Sequence, residues 1–511
     1  MSQLITIDPV TRIEGHLRVQ VEVENGKVKD AWTSGTLFRG FERILKGRKA
    51  EDAWLITQRA CGVCPTPHGL ASAMAIENAY KVELTGNARV VRNLLEGLHF
   101  CQDHILHFYH LAALDYVDVT AVAKYNGNDA ALLDVKSMIA HGDTSPFTPR
   151  YNRDYRLPAE VNIAAVAHYV EALRIYKRTN EAFALLGGKF PHMMSAVPGG
   201  VTIKITPTLA AELLGYVMEI QRFIDTKYLP DVLAVAEYYQ DYGKIGAGCG
   251  NFLAWGAFPD ASNDPQKQLM PRGLIMDAQI HQVQDADPEK VTEHIKHSWY
   301  QGEEARKPAE GVTEPEFTRL PERPTGDDKY SWLKAPRYDG KPMEVGPLAA
   351  MLVRRDQGLL GLAARLGIGP SVLARHAARA LQTKVIADSL PEWLNELDLN
   401  GPTFTEYEPG SGEGYGLTDA PRGSLGHWIS IKDGRIENYQ MVVPTTWNSG
   451  PRDADGVLGP MEQALVGASV VDASQPVEVV RVVRSFDPCI ACSVHVVDVA
   501  EPEKMAEFRI V

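Results

Sequence analysis

The chain has 511 residues, 45% hydrophobic and 23% charged, the balance of a soluble globular protein. A formal charge of −13 without a basic stripe argues against a nucleic-acid partner. No apolar run of about 18 residues suggests a membrane span, and the N-terminus "MSQLITIDPVTRIEGH" lacks the basic-then-apolar pattern of a secretory signal.

The opening is expected to be β structure. "HLRVQVEVENGKVKDAW" alternates Leu17, Val19, Val21 and Val23 on one side and turns at Asn25-Gly26, a strong hairpin signal. In "RACGVCPTPHG" (59–69), Cys61 and Cys64 fall where a loop becomes a helix, because early prolines precede a helix-forming run. Apolar residues at a 3.6 period predict long helices in "NARVVRNLLEGLHFCQDHILHFYHLAAL", "AEVNIAAVAHYVEALRIYKRTNEAFALL" and "TPTLAAELLGYVMEIQRFIDTKYL". The same period recurs in "GPLAAMLVRRDQGLLGLAARL" and "PSVLARHAARALQTKVIADSLPEWLNEL", and Pro230 and Pro370 punctuate the series. Residues 306–328, rich in proline and charge, read as an exposed connection. A second hairpin is expected at Asp433-Gly434 in "HWISIKDGRIENYQMVVP". The fold class expected is α+β and predominantly α. A large helical bundle core carries small β elements near both chain ends, in one domain over residues 1–511.

The cysteines are Cys61, Cys64, Cys101, Cys249, Cys489 and Cys492. Two C-x-x-C pairs are metal arithmetic rather than disulfide arithmetic; Cys101 and Cys249 read as small core residues. The usual fate of four cysteines is a structural zinc site. Here nearly the whole chain separates the pairs, so the site would join the first and last parts of the fold. Four soft thiolates suit nickel, iron or copper as well as zinc, and Arg59, His68, Asp487 and His495 are more than a zinc staple needs.

"RACGVC" and "DPCIACSVH" resemble the paired signatures of the [NiFe]-hydrogenase large subunit. The resemblance extends in order through "DPVTRIEGH", "RGFE", "HILHFYHLAALD", "EVNIAAVAHY", "EVGPLA", "APRGSLGHW" and "NYQMVVPTTWNSGPRD", and so covers the chain. It implies reversible heterolytic cleavage of H2 at a nickel bound by Cys61, Cys64, Cys489 and Cys492. Cys64 and Cys492 would bridge to an iron carrying one CO and two cyanides. Arg422 with the "APRG" loop, and Thr445 with amides of "VVPTT", match the cyanide donors; Pro421 and Pro444 match apolar walls. His68 joins the groups around the cofactor. Asp103 and Asp487 match carboxylates around Arg422, Cys489 a first base, and Glu14 the proton gate. Glu42, His495 and the carbonyl of Met441 match ligands of a structural Mg2+. His99, Asp103, His107 and His110 share one helical face, which reads as packing on a buried site rather than as a separate metal cluster.

The resemblance also implies a cut after His495 by a maturation endopeptidase, removing residues 496–511 once nickel-insertion proteins have loaded the site. No cysteine pair remains for an electron relay, so an iron–sulfur small subunit is the implied partner. A membrane cytochrome could follow through it, with a periplasmic or membrane-associated location; a cytoplasmic branch is the alternative. A respiratory-complex subunit without the metals and a structural zinc protein are the rival readings.

Overall fold

The computed structural model describes residues 2–493. Strand β1 (Gln3–Ile7) pairs antiparallel with β2 (Leu17–Glu24), and β2 with β3 (Lys27–Gly35). The β2–β3 turn holds Asn25 and Gly26 at φ 53° and 72°, as a tight hairpin of this type requires. Leu17, Val19 and Val21 are buried as the alternation predicts, but so are Arg18, Gln20 and Glu22 on the other face. The Pro-rich stretch covers them. Arg18 and Gln20 donate to the Glu322 carbonyl, Arg323 pairs with Glu22 at 2.6 Å, and Pro308, Thr313, Pro321 and Pro324 are buried.

The main helices are α1 (Pro65–Tyr80), α2 (Gly86–Leu106), α3 (Ala159–Gly187), α4 (Pro207–Phe223), α5 (Leu229–Tyr238) and α6 (Val372–Glu396). Thr85, Thr206 and Ser371 cap α2, α4 and α6, each side chain accepting a first-turn amide. Helix α2 packs against α3 and α6 and is buried on nearly all sides, with Arg92, Glu96, His99 and Asp103 inside. Two helix ends differ from expectation. The α2 pattern gives way at His107 to a π-helical segment, His107–Ala112. Pro230 does not stop its helix: a π-helical segment, Ile224–Tyr228, links α4 to α5. The wider turn takes in a residue that has no amide hydrogen to give.

A late antiparallel sheet comprises β4 (Gly412–Ala420), β5 (Gly423–Lys432) and β6 (Arg435–Val442), with Asp433-Gly434 at the second turn. Strand β4 lies directly on α1. Gly412, Gly414 and Gly416 face Ala71, Ala75 and Ala79, which recur every four residues along the helix. A Cβ on Gly416 would sit 2.0 Å from the Ala71 carbonyl oxygen. Backbone therefore rests on backbone, and this contact sets where the N-terminus of α1 points.

The chain ends through α7 (Pro444–Ser449), α8 (Val477–Ser485) and the short α9 (Ile490–Ser493). Helix α8 turns two arginines inward. Arg484 meets Asp115 at 2.6 Å, where Arg12 also binds at 2.5 Å, and Arg481 donates to the Asp115 carbonyl. Three guanidiniums hold Asp115 below the usual carboxylate range despite its burial. This knot ties both ends of the chain to the same point.

Candidate metal centre

Cys64 is the N-cap of α1, and Pro65 opens the helix. The tight loop before it folds the Val63 and Cys64 amides onto Cys61 Sγ, each at 3.2 Å. Amides aimed at a sulfur favour the thiolate. The second pair arrives at the start of α9 (Cys489 just before it, Cys492 on it), placed by contacts with the other end of the chain. The Glu14 amide donates to the Pro488 carbonyl, and the Ile490 amide donates to the Glu14 carbonyl at 2.8 Å. Gly15, at φ 80°, is needed here, since a Cβ would lie 2.6 Å from the Ala491 nitrogen. Asp487, at φ 56°, turns the chain into the site, and Thr445 Oγ1 accepts the Cys489 amide at 2.9 Å.

The four sulfurs converge. Cys61–Cys489 is 3.4 Å, Cys64–Cys492 3.1 Å, Cys64–Cys489 3.8 Å and Cys489–Cys492 2.8 Å. All four cysteines are buried and outside any disulfide, with their sulfurs within 4.8 Å of one another. Burial alone would raise every thiol. For Cys61, sulfur hydrogen bonds from Cys489, Cys492 and Cys64 outweigh it and hold the group well below the ordinary thiol range. Burial and the neighbouring sulfurs push Cys489 and Cys492 far above it. Such a cluster keeps few negative charges by itself, and a cation displaces the remaining protons.

Glu14 Oε2 accepts the Cys489 thiol at 3.1 Å and the Ala491 amide at 3.0 Å. Burial, reinforced by the Cys61 charge, pushes its pKa up to about 7. On the other side, Arg422 grips Asp103 with both terminal nitrogens, at 2.7 and 3.1 Å, and pairs with Asp487 at 3.1 Å. Burial pushes Asp103 up to about 7 against the pull of Arg422, but the two-pronged geometry is that of an ionised pair. The two carboxylates keep Arg422 firmly charged. Its Nε has no hydrogen-bond partner among the described residues. Pro421 and Pro444 are buried in the loops that carry Arg422 and Thr445.

Glu42 accepts the Met441 amide at 3.0 Å and a short hydrogen bond from Thr313, and Lys334 lies 3.6 Å away. His495 lies outside the described residues. The histidine face of α2 disperses once the π segment begins. His107 bonds the Arg484 carbonyl at 2.8 Å and His110 the Tyr169 carbonyl at 3.2 Å, while His99 lies 3.9 Å from Asp103. Cys101 is fully buried, and Cys249 donates to the Asn251 carbonyl. Sequence reasoning passed over His427 and Tyr439, which lie beside His68. The signal was present: His427 occupies the inward position between Leu425 and Ile429, where β alternation calls for an apolar residue.

A family model for nickel-dependent hydrogenase matches residues 39–495, and one described as HoxL-like matches residues 4–34. The chain belongs to the nickel-dependent hydrogenase family. The Hydrogenase-2 large chain of Escherichia coli (strain K12) is 39% identical over 98% of this chain and 98% of its own length. The uptake hydrogenase large subunit of Rhizobium leguminosarum bv. viciae is 37% identical over 99% and 97%. The Desulfomicrobium baculatum [NiFeSe]-hydrogenase structure superposes with a TM-score of 0.86 at 40% identity, covering 97% of this chain and all of that one. The hydrogenase large-subunit fold is thus shared over 97% of this chain, and the four-cysteine cluster is its metal site.

Proposed function

We propose that the chain is the catalytic large subunit of a [NiFe] hydrogenase, cleaving H2 reversibly into protons and electrons. The observation that carries this reading is the meeting of four buried thiols from opposite chain ends, with a carboxyl of pKa near 7 bonded to one of them. In this reading Cys61, Cys64, Cys489 and Cys492 would hold nickel, and Cys64 and Cys492 would also serve an iron that carries one CO and two cyanides. When bound, that group supplies the electrophile that polarises H2 and takes up its electrons.

The chain's own residues handle protons and exclude water. Cys489 takes a proton at its sulfur. Glu14, 3.1 Å away, receives it and passes it outward, since a base poised near neutral pH both accepts and releases. Thr445 uses its lone pair on the Cys489 amide, so its own hydroxyl hydrogen is available to a cyanide. The unpartnered Arg422 Nε–H suits the other cyanide. Asp103 and Asp487 hold the guanidinium plane, and its permanent charge gives Arg422 an electrostatic and positioning role rather than that of a base. Pro421 and Pro444 keep water from the cyanides, and His68, buried on α1 one turn after Cys64, joins the groups around the cofactor.

Glu42, the Met441 carbonyl and His495 form the proposed Mg2+ site, where Glu42 is already oriented by Met441 and Thr313. Residues 496–511 are the extension removed on maturation, by an endopeptidase acting after nickel-insertion proteins. The helices around α2 make up the bundle core of a single domain. Large-subunit relatives imply a small-subunit partner, and iron–sulfur clusters there would take the electrons onward, in some settings to a membrane cytochrome. Relatives named periplasmic and quinone-reactive favour a periplasmic or membrane-associated site. No helix among the described residues is long and apolar enough to cross a membrane.

The test is metal analysis with infrared spectroscopy of the purified complex. Nickel and iron should be found together with CO and cyanide bands. Zinc alone, with no such bands, would overturn the reading.

A further inference from the structure

Arg422 stands at the tip of a hairpin. Ala420 of β4 and Gly423 of β5 are directly paired, so Pro421 and Arg422 are the whole of the turn between them. Its own residues do not hold this turn closed. The favoured two-residue hairpin turns need a positive φ at the first central position, and proline fixes that angle at about −65°. Neither Pro421 nor Arg422 has a positive φ. Turns of the other types splay their strands, so the stem must be held from outside. Asp103 and Asp487 grip the Arg422 side chain, but that grip is only as firm as the backbone beneath it.

One step down the stem, Asp419 and Ser424 are directly opposed, and the Ser424 hydroxyl lies 2.9 Å from Asp419 Oδ1. Both side chains reach the end of the short strand Phe252–Ala254. Asp419 Oδ1 accepts the Trp255 amide at 3.0 Å and Oδ2 the Gly256 amide at 3.3 Å. The Asp419 amide donates back to the Gly256 carbonyl at 2.8 Å. Ser424 Oγ lies 3.1 Å from the Leu253 carbonyl. Its single proton goes to one oxygen only, and a carboxylate is the stronger acceptor. Asp419 therefore takes two amides and a hydroxyl, while 2% exposed beside a fully buried Ser424 and Trp255.

We infer that Asp419 and Ser424 are positioning residues for Arg422: they clasp the hairpin stem to the Trp255 and Gly256 amides, and so set the height and direction of the turn that carries the guanidinium. Neither touches the reacting atoms, and both act through Arg422. The clasp requires a carboxylate. Asparagine has the same shape, but its NH2 group would face one of the three donors and leave a hydrogen unpaired in a dry site. The stem would then be free to splay, and the tip would move with it.

The inference rests on the nickel–iron reading above, in which Arg422 serves a cyanide, and the assay separates the two. The purified complex is compared with Asp419→Asn, Ser424→Ala and Glu462→Gln, reading melting temperature and the infrared bands of bound CO and cyanide. Glu462 is the control. It too is a buried carboxylate taking two amides and a hydroxyl, from Thr33, Gly459 and Tyr330, but it holds β3 and not the hairpin. All three variants should melt below the parent. Asp419→Asn should shift the cyanide bands, Ser424→Ala should shift them less, and Glu462→Gln should leave them in place. Should Asp419→Asn fail to load metal, the contrast between Ser424→Ala and Glu462→Gln decides the same question. Parent-like bands in Asp419→Asn, or an equal shift in Glu462→Gln, would overturn the positioning role and leave only stability. A parent complex without CO and cyanide bands would instead overturn the reading beneath it.

Discussion

Gly416→Ala tests the idea that a glycine-on-alanine contact places half of the metal site. The added Cβ would meet the Ala71 carbonyl oxygen at 2.0 Å and the Ala75 nitrogen at 2.8 Å, whereas real Cβ contacts below 3.0 Å essentially never occur. Backbone lies on both sides, so no side chain can swing away. Helix α1 must retreat from β4 by at least about 1 Å, and overpacking of this kind costs about 1–3 kcal/mol. The retreat carries Cys64, the cap of the same helix, away from Cys489 and Cys492, while metal–ligand distances tolerate only about 0.2 Å. Each 1.4 kcal/mol of that cost borne by the loaded state lowers affinity about tenfold, so affinity for nickel should fall up to roughly a hundredfold and nickel per subunit should drop with it. Gly410→Ala is the control, because its Cβ meets nothing within 4 Å. Nickel would be measured by mass spectrometry of complexes purified in parallel. Full nickel in Gly416→Ala, equal to that of Gly410→Ala, would show that the contact does not place the site.

Glu14→Gln should keep nickel and iron yet lose proton exchange between H2 and solvent, because an amide holds the Ala491 amide but carries no proton; normal H/D exchange would move the gate elsewhere. Glu96 supplies a pH signature. Its pKa is raised from 4.5 to about 8 by burial and then by the Asp419 charge, so the folded chain keeps a proton that the unfolded chain releases near 4.5. Stability from this group is therefore lost as pH climbs from 4.5 to 8, by up to roughly 5 kcal/mol. Glu96→Gln should melt increasingly above the parent across that window, and parallel melting curves would contradict the assignment. The mature subunit of active enzyme should have the mass of residues 1–495, and nickel-free protein that of the full 511 residues; active enzyme still carrying Val511 would refute the maturation cut.

The sequence alone determined the local structure and the chemistry of the ligands. Asn25-Gly26 and Asp433-Gly434 specify their hairpins because few other pairs adopt two successive positive φ values. Thr85, Thr206 and Ser371 mark helix starts through their own side chains. Two C-x-x-C pairs announce a soft-metal site wherever they lie, since thiolate affinity belongs to the residue type. What only the tertiary structure decided is long-range. The Pro-rich stretch was written like a loop, yet it covers the outer face of the first sheet, because buried Arg18, Gln20 and Glu22 need polar partners there. The π segments at His107 and Ile224 follow from packing, and the one at His107 scatters a histidine face that helical spacing alone would have kept together. Glu14 and Cys489, nearly the whole chain apart, meet because Asp115 binds Arg12 from one end and Arg484 from the other. His427 gained its partner in the same way. A residue's chemistry is carried in its side chain, but its partner is chosen by where distant backbone can come to rest, and here that was fixed by the buried Asp115 ion pairs and by glycines that let backbone lie on backbone.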